Sequence, residues 1–256
     1  MKMIKINGIN LNVEIKGKGH PLILIHGVGG DISQWDYEID RLSQKFKTIA
    51  LDCRGHGQSD KPEDYTIQDH VSDILGVMDY FNIVKTFLYG ISMGSYIGQG
   101  VAIKAPERIE KLILTSPKSN GLTTSIQRIM KENPNEFEGL KDQHEMFLAL
   151  LKYTAFNPEK LKKYLPILET RLTPEQFLRA NKALAGFDFR EDLFEIKAKT
   201  LVINGKYDNL NPPSEGQLCA SLIPNATFIE MQYSGHIPVF EEPDVYNMVI
   251  DDFLIN

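Results

Sequence analysis

Three residues of this 256-residue chain combine types and positions that could do nucleophilic chemistry: Ser92, Asp208 and His236. A serine hydroxyl is a poor nucleophile until a base takes its proton, and an imidazole does this near neutral pH. A carboxylate beside the imidazole fixes its tautomer and stabilises the cation that forms. Ser92 stands in Gly90-Ile91-Ser92-Met93-Gly94, between an apolar strand-like segment (Thr86 to Tyr89) and a helix-like segment ending near Ala105-Pro106. A serine on such a sharp strand-to-helix turn is held in strained backbone, so the residues two positions either side must lack a clashing Cβ. The helix that follows offers free backbone N–H groups to a developing negative charge. Taken singly, each residue has a plain explanation: a Gly-Ser turn, an Asp that caps or is solvated, a turn histidine. Their joint placement carries the argument. They occur in the order Ser, Asp, His, each just after an apolar strand-like run. Loops at the carboxyl edge of a parallel sheet converge on one crevice, where residues from three strands can meet.

The elements needed to position them are readable along the chain. Lys2 to Asn7 and Leu11 to Lys16 alternate apolar and polar residues around Asn7-Gly8, the signature of a hairpin. Pro21 to Ile25 is a continuous apolar run suited to a central strand buried on both faces, and it ends in the glycine-rich His26-Gly27-Val28-Gly29-Gly30. That loop lacks the Gly-x-x-x-x-Gly-Lys-Ser/Thr pattern of a nucleotide site. A helix over Ser33 to Leu42 and a strand over Phe46 to Leu51 follow. The polar turn Asp52 to Asp60 comes next, in which His56 between two glycines reads as a structural turn residue. Tyr65 to Phe81 has helical spacing, and Lys111 to Thr115 is another strand. Alternating strands and helices imply a mostly parallel sheet. From Pro117 to about Lys199 the rhythm breaks into helix-like blocks punctuated by Pro134, Pro158, Pro166 and Pro174, too long a stretch for a loop. It reads as an inserted helical lid with nearly balanced charge, whose aromatic and Met residues mostly serve packing. Strands resume at Lys199 to Asn204 and Ala226 to Met231, with helices over Ser214 to Ile223 and Pro243 to Leu254.

Bulk composition narrows the function classes. The chain is 42% hydrophobic and 24% charged, ordinary for a soluble globular protein, and a net charge of -6 argues against nucleic acid or an anionic membrane surface as partner. Cys53 and Cys219 form neither a disulfide framework nor a metal-ligand spacing. No Ser-x-x-Lys or His-Glu-x-x-His occurs, which removes serine–lysine and zinc mechanisms. No metal or cofactor is expected. The alternating N-terminus shows no secretory signal, and no run approaches the ~18 apolar residues of a membrane span. A reducing cytoplasm is the default expectation.

The chain resembles the α/β-hydrolase superfamily, in the lidded branch of esterases, enol-lactonases, C–C bond hydrolases and cofactor-free haloperoxidases. The resemblance rests on His26 to Gly30 with Trp35, Asp52 to Ser59, Gly90 to Gly94 and Gly205 to Asp208. It rests also on Gly235-His236 followed by Glu242-Pro243. It implies an α/β fold with a mostly parallel eight-stranded sheet, a core of residues 1–117 and 199–256, and a lid of residues 118–198. It further implies Ser92 as nucleophile, His236 as base, Asp208 as its orienting acid, and the N–H groups of Val28 and Met93 as oxyanion hole. Gly27, Trp35 and Ile237 are expected to border the substrate pocket. Ser92 where some branches carry an aspartate disfavours dehalogenation and epoxide opening. Ser116-Pro117-Lys118 leaves the alternative acid position without a carboxylate. The leading expectation is a serine hydrolase of a small ester, thioester or lactone acting on a small-molecule substrate. Cleavage of a C–C bond or peracid formation by the same triad stays open, as does a non-catalytic ligand-binding or signalling role.

Overall fold

The computed structural model describes residues 1–140 and 142–256. Among these, eight strands form one sheet: β1 Lys2–Ile6, β2 Ile9–Lys16, β3 Pro21–Ile25, β4 Lys47–Leu51, β5 Thr86–Ile91, β6 Ile109–Thr115, β7 Lys199–Gly205 and β8 Ala226–Met231. Their order is β1-β2-β4-β3-β5-β6-β7-β8. β2 runs antiparallel to both neighbours, and the pairs from β4 to β8 are parallel. Asn7 and Gly8 both take positive φ at the β1–β2 turn, as an Asn-Gly hairpin requires.

Helices cover both faces because the central strands are apolar on both. Ile23 and Ile25 of β3 point toward α2 (Ile67–Tyr80) and α3 (Met93–Lys104), where Val71, Ile74, Ile97 and Val101 meet them in one core cluster. Leu22 and Leu24 point the other way, toward α1 (Asp36–Leu42) and α12 (Pro243–Ile255), packing with Ile39, Leu42, Tyr246 and Ile250. The alternation follows from the two-residue period of a strand. Each fully buried aliphatic side chain contributes about 1.5–3 kcal/mol.

Between β6 and β7 lie α4 (Ser125–Glu132), α5 (Pro134–Phe137), α6 (Gln143–Thr154), α7 (Pro158–Leu161), α8 (Leu165–Leu168) and α9 (Pro174–Lys182). The prolines that punctuate this stretch start helices: Pro134, Pro158, Pro166 and Pro174 each occupy a first turn, where a missing N–H costs nothing. Both ends of the stretch expected to form the lid, 118–198, are tied to the core. Ser119 and Gly121 bond to the backbone of Phe187 and Phe189, and Asn120 bridges Asp188, closing a neck. Phe187, Phe189, Leu193, Ile196 and Ala198 belong to the same core cluster as Leu88 and Val101. Helices α4 to α9 lie in the chain between the two sides of this neck. The remaining helices are α10 (Pro213–Leu222) and α11 (Pro238–Glu241). Among the described residues no helix is long and apolar enough to cross a membrane.

The start of α3 comes closer to the sheet than a side chain permits. A Cβ on Gly94 would lie 2.0 Å from the Ile25 carbonyl oxygen, and one on Gly90 would lie 2.1 Å from the Gly94 oxygen. Both obstacles are backbone atoms that cannot rotate away. Gly94→Ala should therefore cost at least roughly 1–3 kcal/mol, the scale of overpacking a dense interior. Urea unfolding measures this, and an unchanged midpoint would contradict the packing described.

Candidate active site

The turn after β5 places one hydroxyl at the carboxyl edge of the sheet. Ser92 has φ 53° and ψ -117°, outside the regions a side-chain-bearing residue normally adopts. Its N–H donates to the Thr115 carbonyl of β6 at 2.9 Å, and the Ser95 hydroxyl donates to the Ser92 carbonyl at 2.6 Å. Ser95 thus braces the first turn of α3. The Ser92 side chain is left facing His236, whose Nε2 lies 2.9 Å from Ser92 Oγ.

His236 follows β8, and Asp208 follows β7. Asp208 Oδ2 lies 2.8 Å from His236 Nδ1, while Asp208 Oδ1 accepts the N–H groups of Leu210 and Asn211 at 2.9 Å each. A carboxylate is the acceptor here, so Nδ1 carries the proton and Nε2 presents a lone pair to the serine. Ser92, Asp208 and His236 are all buried. The three expected residues therefore form one hydrogen-bonded chain, from carboxylate to imidazole to hydroxyl. Such a chain can move a proton off the hydroxyl as it attacks a carbonyl.

The glycine-rich loop after β3 completes the crevice. His26 Nε2 accepts the Cys53 N–H at 3.0 Å, so its Nδ1 bears the proton and donates to the Gly27 carbonyl at 2.7 Å. That carbonyl also accepts the Gly30 N–H at 3.1 Å. A trans peptide directs its N–H opposite to its C=O. The Val28 N–H is thereby turned away from His26, and Val28 borders the same cavity as Ser92. Met93 is the first residue of α3, where helical N–H groups lack intrahelical partners. Among the described residues neither the Val28 nor the Met93 amide has a hydrogen-bond partner. Gly27 is beside the nucleophile, since a Cβ there would lie 3.5 Å from Ser92 Cβ.

A cavity of about 230 Å³ opens onto Ser92 and His236. One wall is a stripe of α6, with Met146, Phe147, Leu150, Leu151 and Thr154 at helical spacing. Phe177 of α9, Ile126 of α4, Leu210 and Ile237 add further apolar surface, and Gln34, Thr154 and Thr170 are its polar members besides the serine and histidine.

The family model described as alpha/beta hydrolase fold matches residues 20–243. The chain belongs to the α/β-hydrolase fold family. Over 254 residues this hydrolase is 27% identical to the 3-oxoadipate enol-lactonase 1 of Acinetobacter baylyi, covering 96% of this chain and 94% of the relative. Among solved structures it is similar to the enol-lactonase of Burkholderia xenovorans, with a TM-score of 0.85, 25% identity and full coverage of both chains. It is likewise similar to the meta-cleavage product hydrolase of Pseudomonas fluorescens, with a TM-score of 0.83 and 27% identity over 99% of this chain and 97% of that one.

Of the residues singled out in the hydrolase sequence, Gly27, Val28, Ser92, His236 and Ile237 line the cavity, while Met93 lies at the start of α3 and Asp208 behind the imidazole. Trp35 does not line it. Its ring is fully buried on the α1/α12 side of the sheet, edge-on to Tyr89 at 4.7 Å. The resemblance implied a place at the pocket border, but an apolar sheet face takes the side chain instead. Asp52 is structural: its carboxylate accepts from the Ile32 and Gln58 amides and Asn12 Nδ2, clamping the turn below the glycine-rich loop. Sequence reasoning missed Asn211. Its side chain donates to Tyr96 Oη at 2.5 Å and the Ser116 carbonyl at 2.8 Å, and accepts from Ser125 at 3.1 Å. Nothing in Asn209-Leu210-Asn211-Pro212 distinguishes it from a loop asparagine. The α6 stripe, in contrast, carried a readable signal in its helical period.

Three buried histidines, His26, His56 and His70, cluster at the base of the glycine-rich loop. His26 and His56 centroids are 5.0 Å apart, and His56 and His70 centroids 6.4 Å. Burial lowers the pKa of each, that of His56 to about 3, with neighbouring imidazoles adding to the effect on His56 and His70. A histidine with a lowered folded pKa binds fewer protons than the unfolded chain, so its stabilising contribution is lost as pH falls below about 6.5. The hydrolase should lose thermal stability steadily from about pH 6.5 toward pH 4.5. His56→Asn should flatten that slope by up to about 1.4 kcal/mol per pH unit, the value of one proton. Parallel melting curves for parent and variant across that range test it, and equal slopes would remove His56 from the account.

Proposed function

We propose that this chain is a serine hydrolase that cleaves a small, uncharged carboxylic ester, thioester or lactone through an acyl-enzyme on Ser92. The observation that carries the reading is the hydrogen-bonded chain Asp208–His236–Ser92 beside two amides that have no partner among the described residues. Ser92 Oγ attacks the carbonyl carbon while His236 Nε2 takes its proton. The oxygen that becomes negative is held by the Val28 and Met93 N–H groups, a role that typically removes about 2.7–4 kcal/mol of barrier per donor. His236 then gives the proton to the leaving oxygen or sulfur. Water deprotonated by the same imidazole attacks the acyl-enzyme, and the acid departs as Ser92 regains its proton. The helical layer between the neck residues acts as a lid that shapes the acyl site and excludes water.

The lining sets the substrate class. At about 230 Å³ the cavity is below the usual range of drug-sized sites, roughly 300–1,000 Å³. Among the described residues that line it there is no lysine or arginine. An enol-lactone of an oxoadipate keeps a free carboxylate, and burying that charge unpaired costs several kcal/mol. This pocket therefore fits an apolar acyl group better than the compound in its relative's name.

Two sets of expected outcomes, one for the mechanism and one for the substrate class, test the proposal. Ser92→Ala should remain folded and lose about 10⁵–10⁶-fold in turnover, and Asp208→Asn roughly 10⁴-fold because the imidazole takes the wrong tautomer. A phosphonate should label the Ser92 peptide once; labelling elsewhere with Ser92 untouched would sink the mechanism. Separately, p-nitrophenyl valerate and p-nitrophenyl hemiglutarate differ at the acyl terminus by a methyl against a carboxylate. kcat/KM should favour valerate by about 10²–10³-fold, since each ~1.4 kcal/mol is tenfold. Comparable values for the two would overturn the uncharged-substrate assignment while leaving the serine mechanism standing.

A further inference from the structure

Glu241, the last residue of α11, is buried to 4% exposure. Its oxygens meet backbone amides in place of a cation. Oε2 accepts the Gly235 N–H at 2.6 Å, and Oε1 accepts the Asn157 N–H at 2.9 Å. Burial pushes its carboxyl up, and the amides of Asn157, Gly235 and Phe156 oppose that. Hydrogen bonds to an ionised carboxylate are short and about twice as strong as neutral ones.

The two amides belong to segments that matter separately. Gly235 precedes His236, and Asn157 follows α6, whose stripe walls the cavity. Backbone contacts already bring the segments together. The His236 N–H donates to the Thr154 carbonyl at 2.6 Å, and the Asn209 N–H donates to the Tyr153 carbonyl at 3.2 Å. Gly235 is pressed so close that a Cβ would lie 2.1 Å from the Thr154 oxygen. These bonds join the end of α6 to the loops bearing His236 and Asp208. The adjacent Glu242 is different: it accepts the Tyr233 N–H in an exposed setting, a bond to the His236 loop alone.

We propose that Glu241 is a positioning residue, clasping the His236 loop to the end of α6 so that the base and the acyl-pocket wall share one register. The proposal rests on the serine-hydrolase reading for what His236 does. Displacement of the clasp moves both partners. A shift of the imidazole lowers kcat, and a shift of the α6 stripe changes which acyl chains fit.

Glu241→Ala and Glu241→Gln test it, with Ile250→Val in α12 as the control for a general loss of stability. Glutamine keeps an acceptor for one amide but turns its NH₂ toward the other. With p-nitrophenyl valerate, kcat should fall about 10²-fold in Glu241→Ala, the scale of a 1 Å misplacement, and less in Glu241→Gln. The valerate-to-octanoate ratio of kcat/KM should change by roughly the 10-fold of a methylene-sized alteration. Ile250→Val should lower the melting temperature and leave both quantities unchanged. Hydrogen exchange read by mass spectrometry should quicken in residues 150–158 and 232–237 together in the Glu241 variants, and in neither segment in the control. Folded Glu241 variants with parental kcat and chain-length ratio would overturn the proposal, as would quickened exchange in one segment alone. If the parent turns over no ester, the hydrolase reading fails at that step, and the exchange result decides the clasp by the same criterion.

Discussion

Ser92 holds a backbone conformation that costs a non-glycine residue about 1–3 kcal/mol, so it persists only where its surroundings over-determine it. The surroundings do so through backbone contact. Gly90 and Gly94 let β5 and α3 approach each other and the end of β3 within distances no Cβ tolerates. The Ser92 N–H is taken by β6 and its carbonyl by the Ser95 hydroxyl. α3 is buried from Met93 to Ala102, so its start cannot drift. The same helix start supplies the Met93 amide. One strained residue thus fixes both the hydroxyl and one of the two N–H groups proposed to hold the oxyanion.

The other site residues depend on the order of the strands. β3 has β4 on one side and β5 on the other, and the chain reverses its winding there. Loops after β3 and β5 must diverge to opposite faces, and the crevice between them is where Val28 and Ser92 meet. β7 and β8 lie further along the same edge and bring Asp208 and His236. Links between the loops keep these parts in register. Ser116 donates its N–H to Ile203 and its hydroxyl to the His236 carbonyl, and Tyr207 donates its N–H to Ser234. Asn211 adds a buried junction between the Asp208 loop, Tyr96 and the first turn of α4.

The helical layer enters this arrangement at two places with different physics. At the neck, backbone pairing and the phenyl rings of Phe187 and Phe189 bind it into the main core. At the end of α6, backbone carbonyls and a buried carboxylate bind it to the His236 loop. The cavity lies between these anchors, with a mainly apolar lining. The Asp208–His236–Ser92 chain and the α6 stripe that walls the cavity before it therefore reside in different layers of the molecule.

The strands, the principal helices and the Ser, Asp, His order were legible in the sequence because they rest on local rules. Strand and helix periods, a glycine requirement two residues either side of a turn, and proline at helix starts all act within a few residues. Ser92, Asp208 and His236 could be named because each follows an apolar run, and parallel strands bring such ends to one edge. Partners distant in sequence were not legible. Trp35 could have faced the pocket or the core, and the apolar face shared with Tyr89 decided it. The neck at Ser119–Phe189, the junction at Asn211 and the buried Glu241 are made by groups 6 to 115 positions apart. Their hydrogen bonds join backbone and side-chain atoms whose pairing leaves no periodic mark along the chain. Sequence by itself determined which residues could react and the elements that carry them. Tertiary structure decided what holds those residues and what lines the space before them, because burial and hydrogen-bond geometry exist only once distant segments have packed.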